Sequence, residues 1–151
     1  MTGSENPPLG QLLRQLAAAL RPQVTAELGP LGLGLPDFIV LQILAARPGC
    51  TSAELARATH VTAQAANQLL HRLEAQGTVE RPDSAPGGRA LPARLTPKGK
   101  KLLTRAERAV RSVEDRVLSG LTPKEQRQLI TLLGKAARHG EHTAPEAAEC
   151  R

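Results

Sequence analysis

Four threonines in this chain stand where a helix has to begin, and they divide it almost completely. Thr51-Ser52-Ala53-Glu54 is a capping box, with threonine at the N-cap and glutamate three residues on. Thr62 precedes a second short helical run, whose first free N–H groups its hydroxyl can accept. Thr96-Pro97 places proline at the first helical position, where a missing N–H costs nothing. Thr122-Pro123-Lys124-Glu125 combines both devices. Such a chain is mostly helical.

Apolar spacing fills in the segments. Leu9, Leu12, Leu13, Leu16, Leu20, Val24 and Leu28 recur three or four apart on one helix face. Pro22 lies inside that pattern and is expected to kink it or end a segment there. The Gly29–Gly34 stretch stops it, Pro36 opens a second helix through Phe38, Leu41, Leu44 and Ala45, and Pro48-Gly49 closes that one. The capping box then starts a short helix with Leu55 and Ala58, and His60-Val61 forms a turn. After Thr62 the buried face is expected at Ala66, Leu69, Leu70 and Leu73, with a stop at Gly77. Thr78–Arg81 reads as a short strand, Pro82–Gly88 as a turn-rich tip, and Arg89–Leu95 as a returning strand weakened by Pro92. Two helices complete the order, striped by Leu102, Leu103, Ala106, Val110, Val113 and Val117, then by Leu129, Ile130, Leu132 and Leu133. The expected fold is mostly α with a small two- or three-stranded β wing.

Composition narrows the partners. Among 151 residues aromatics make up 1%, and Phe38 is the lone one, so the core must be aliphatic. The net charge of +6 favours polyanions, while the missing aromatics argue against proteins that stack unpaired bases. No apolar run reaches the roughly 18–20 residues that cross a bilayer, and Met1–Pro8 has neither a basic nor an apolar leader region. Cys50 and Cys150 are too few for a disulfide scaffold. A reducing, cytoplasmic setting is expected, with loose tails at 1–8 and 141–151.

The helix, tight turn and helix from Thr51 to Gln76 have the layout of a helix-turn-helix. On the second helix Gln64, Asn67, Gln68 and His71 lie at i, i+3, i+4 and i+7, opposite the leucine stripe. Asn and Gln can pair bidentately with adenine in the major groove, although an ordinary solvated face shows the same polarity. The basic segment after the helix weighs against the solvated face. From Arg81 to Lys101 stand Arg81, Arg89, Arg94, Lys98, Lys100 and Lys101 against a single acid, Asp83. A Gly87-Gly88-Arg89 tip is suited to phosphates or a minor groove. Ser52, Thr62, Arg72, Arg81, Arg89 and Arg94 join the four polar residues as the expected duplex-DNA interface.

His60-Val61-Thr62, Arg72-Leu73-Glu74-Ala75-Gln76-Gly77-Thr78-Val79-Glu80-Arg81 and Leu95-Thr96-Pro97-Lys98-Gly99, in this order and spacing, resemble the MarR family of winged-helix transcriptional regulators. The resemblance covers about residues 9 to 140. It implies a homodimer held by helices in 9–35 and 98–140, around a winged helix-turn-helix at 36–97. It also implies a pseudo-palindromic operator, bases faced by Thr62, Gln64, Asn67 and Gln68, and Arg89 as the wing arginine. The chain departs from the family pattern in two places. Gly87-Gly88-Arg89 lacks the usual wing aspartate, and Gln68 stands where many members have arginine.

By the same resemblance the protein is a repressor released by a small lipophilic or aromatic acid. The expected pocket takes Leu16, Leu20, Phe38 and Leu41 as its floor, with Arg14 or Arg47 meeting the carboxylate. Cys50 is expected to fill a turn rather than to react, and His139, His142 and Cys150 lack the closed spacing of a metal site. No nucleophile motif, phosphate loop or carboxylate pair beside a histidine is present, so neither enzyme activity nor a cofactor is expected. The alternative is a dimeric winged-helix protein-interaction module that has lost sequence-specific DNA reading.

Overall fold

A computed structural model describes residues 6–82 and 92–143. The order is α1 (Leu9–Leu28), a 3₁₀ turn (Gly29–Leu31), α2 (Leu35–Ala46), α3 (Ser52–Thr59), α4 (Ala63–Ala75), β1 (Val79–Glu80), β2 (Arg94–Leu95), α5 (Pro97–Val117) and α6 (Pro123–Thr143). All four threonine signals coincide with helix starts. Thr51 and Glu54 exchange both bonds of the box, at 2.9 and 3.2 Å. Thr122 and Glu125 do the same at 2.8 and 3.3 Å, and the Thr62 hydroxyl accepts from the Ala65 N–H at 3.1 Å.

Pro22 does not end a segment. α1 runs through it to Leu28, although an interior proline costs a helix about 3 kcal/mol. The physical reason lies beyond the proline. Val24 and Leu28 are the residues of α1 that enter the core, and burying each stabilises by roughly 1.5–3 kcal/mol. The Gln23 amide also reaches back to the Ala19 carbonyl at 3.1 Å, one turn before it. Leu9, Leu12 and Leu13, at the other end of the same stripe, remain exposed.

The chain forms two compact units, one up to Glu114 and one from Asp115 onward. In the first, Leu28, Leu41, Leu44, Leu55, Leu70 and Leu73 are fully buried, with Phe38 beside them. This is the aliphatic core that the missing aromatics require. Glycine with φ +75° at Gly77 turns the chain out of α4 into the wing. The strands pair antiparallel with Val79 opposite Leu95 and Glu80 opposite Arg94, so the apolar pair faces the core and the charged pair faces out. Each strand is shorter than the sequence pattern suggests. Just before β2, Ala93 bridges Cys50 rather than β1, through bonds of 2.8 and 2.9 Å that involve Cys50 and Gly49. That bridge gives the wing a third, one-residue member, and it explains why Cys50 is buried. The tip arginine, Arg89, lies outside the described residues, as does Cys150.

In the second unit α6 has no buried residue among those described, and Ile130 and Leu132 are 59% and 64% exposed. No single described helix is long and apolar enough to cross a membrane.

Candidate nucleic-acid interface

α4 is the element with an apolar face turned in and a small polar face turned out. Ala66, Leu70 and Leu73 are buried, while Thr62, Gln64, Gln68, His71 and Arg72 are exposed and Asn67 is half-buried. α3 packs against it. Ser52, the first residue of α3, is half-buried, and His60 closes that helix with φ 56°, the left-handed conformation that makes the turn tight. Arg94 is exposed on β2.

Two of the expected contact residues are tied down. The Arg72 guanidinium donates to Oδ1 of Asp37, whose Oδ2 accepts the Gly34 N–H at 2.8 Å at the start of α2. Asp37 is 3% exposed, so this buried carboxylate is satisfied from two directions and anchors α4 on α2. The Arg81 side chain is only 9% exposed. Its Nε donates to Glu74 at 2.5 Å, one Nη to Oδ1 of Asn67 at 3.0 Å, and the other meets Nδ1 of His71 at 3.5 Å. Asp37 and Glu74 escape a reading of polar periodicity. Locally Asp37 serves the Gly34 N–H at the start of α2, but each carboxylate meets its arginine only because the fold brings the two together.

The join between α4 and α5 is equally specific. The Thr96 hydroxyl donates to the Gly77 carbonyl at 2.6 Å and accepts the Gly99 N–H at 3.1 Å, while the Thr96 N–H reaches Thr78 at 3.1 Å. Gly99 packs so closely that a Cβ there would stand 2.0 Å from the Thr78 carbonyl oxygen. The Leu-Thr-Pro-Lys-Gly run is therefore a backbone clasp that holds the wing against the end of α4.

A model of the MarR family matches residues 31–90. The HTH-type transcriptional repressor Rv2887 of Mycobacterium tuberculosis is 49% identical over 132 residues, which span 87% of this chain and 95% of that protein. The chain belongs to the MarR family. Among solved structures it is similar to M. tuberculosis Rv2887 in complex with DNA, at TM-score 0.77 and 47% identity over 87% of this chain and 98% of that one. It is also similar to Rv2887 in complex with salicylic acid, at TM-score 0.74 and 48% identity over 89% and 99% of the two chains. Apo MarR from E. coli gives TM-score 0.75 at 26% identity, over 87% and 98%.

The residues expected to form an effector pocket differ in exposure. Leu16 and Leu20 are half-buried on α1, Arg14 and Arg47 are exposed, and Leu41 is wholly inside the core. Phe38 lines a cleft of about 170 Å³ with Gln42, Glu107, Val110, Arg111 and Glu114. A much larger cavity, about 690 Å³, lies between the 3₁₀ turn and the start of α5. Leu31 and Leu102 supply its apolar wall, and Lys98, Lys101 and Arg105 its cations. Those three stand at i, i+3 and i+7, a spacing visible in the sequence, but Leu31 is brought opposite them only by the fold. Among the described residues no group of histidine, cysteine and acidic side chains could hold a metal.

Proposed function

We propose that this chain is a homodimeric, cytoplasmic transcriptional repressor that reads a pseudo-palindromic operator with α4 and lets go when it binds a small aromatic acid. The observation that carries the reading is α4 itself. A helix capped by Thr62, braced from behind by α3 and Asp37, and presenting Gln64, Gln68 and half-buried Asn67 outward has the form that enters a major groove. The match to Rv2887 along nearly its whole length, including its DNA complex, supports it.

Dimerisation through residues 9–35 and 98–140 is supported by an exposed apolar stripe on each of the two units. Leu9, Leu12 and Leu13 lie on one, and Ile130 and Leu132 on the other. With residues 36–97 as the reading domain, two copies present two half-sites. For the effector, solved structures of Rv2887 hold salicylic acid and p-aminosalicylic acid. In this chain the cavity walled by Leu31 and Leu102 and edged by Lys101 and Arg105 offers an apolar face and cations to such a molecule.

Selection of bound duplexes from a random pool, followed by salt titration and salicylate titration, tests this function. A single enriched half-site repeated about one helical turn apart, released by salicylate, is the expected result. Arg105→Ala should raise the salicylate needed for half-release about tenfold, the worth of one charge-assisted hydrogen bond. Equal affinity for every duplex would favour the protein-interaction module instead.

A further inference from the structure

We infer that Arg81 is a positioning residue that fixes the amide of Asn67 with its nitrogen outward, so that Asn67 selects a keto base, guanine or thymine, over adenine. This rests on the proposed reading of DNA by α4. A guanidinium carries only donors, so the amide atom it meets at 3.0 Å is the oxygen. With Oδ1 held by Arg81, the Nδ2 donors are the part of the amide left for a base.

Unrestrained asparagine favours adenine because both ends of the amide are used, the oxygen accepting from N6–H and the nitrogen donating to N7. Here Arg81 takes one lone pair of Oδ1 and leaves the other beside a cation, which disfavours the approach of the adenine N6–H donor. The remaining N–H groups instead match an acceptor edge, O6 and N7 of guanine or O4 of thymine. Polarisation of the carbonyl by Arg81 also strengthens the amide N–H as a donor.

Arg81 is built for this task rather than for phosphate. Its side chain is 9% exposed, and Glu74 at 2.5 Å offsets its charge. Glu74 lies on α4 with Asn67, while Arg81 comes just after β1, so the ion pair ties the root of the wing to the reading helix and aims the fork at the amide.

Duplex selection with the wild type and with Asn67→Ala locates the base under Asn67, as the position whose preference collapses in the variant. Guanine or thymine is expected there, favoured over adenine by about tenfold, within the 1–3 kcal/mol that one base contact supplies. In the double variant Glu74→Gln/Arg81→Met, which removes the cation and its counter-charge together, adenine should recover to within about threefold at that position alone. Adenine or cytosine dominant in the wild type overturns the inference, as does no position responding to Asn67→Ala. So does a folded double variant that keeps the wild-type profile. If the double variant does not fold, the wild-type profile decides. Selection that enriches no duplex at all sinks the DNA-reading function itself, whereas a clear operator with adenine under Asn67 sinks only the role of Arg81.

Discussion

Arg72 on α4 donates to Asp37 on α2, joining residues 35 apart in the chain through a carboxylate that is almost wholly buried. The arginine is half exposed, so it holds α4 in place from the protein surface. Removing it leaves a buried oxygen without its partner, which typically costs about 1–3 kcal/mol. Arg72→Ala should therefore lower the denaturant midpoint. Asp37→Ala should lower it further, since the Gly34 N–H loses its acceptor as well. An unchanged midpoint for Arg72→Ala would show that the pair does not brace the helix.

Gly99→Ala should destabilise the protein by about 1–3 kcal/mol, or roughly 3–10 °C of Tm, because the new methyl meets backbone rather than a movable side chain. Gly120→Ala is the control. Nothing stands within 4 Å of a Cβ there, and thermal melts should separate the two variants cleanly.

The exposed leucine stripes should be interfaces. Sedimentation at micromolar concentration is expected to give twice the 16.0 kDa chain mass. Leu12→Glu and Leu132→Glu, each placing a charge in an apolar stripe, should shift the protein toward monomer. A stable wild-type monomer would refute the assignment.

Gln68 and Arg94 should fail in different ways. Both are exposed, but only Arg94 is charged. Arg94→Ala should weaken operator and random duplex alike and reduce the salt slope by about one unit per lost phosphate contact. Gln68→Ala should cost the operator about 1–3 kcal/mol while leaving random-duplex affinity and the slope unchanged. Fluorescence anisotropy at several salt concentrations distinguishes the two patterns, and identical behaviour would mean that Gln68 reads no base.

What the amino-acid order determined by itself is whatever depends on neighbours a few residues away. The Thr51, Thr62, Thr96 and Thr122 caps start their helices as expected, since each cap bonds an N–H three residues on. The helix-turn-helix, the wing position and the family resemblance come from those local signals and their spacing. Tertiary structure decided the rest. α1 continues through Pro22 because Val24 and Leu28 find a core beyond it, and no local pattern weighs that burial against the proline. Arg72 and Arg81 look like free cations in the chain, yet one is bound to Asp37 and the other to Glu74 and Asn67. The large cavity likewise exists only where Leu31 comes to face Leu102 and Arg105. Charge type is written at each position, but whether that charge faces solvent, a phosphate or a buried carboxylate depends on which distant segment packs against it.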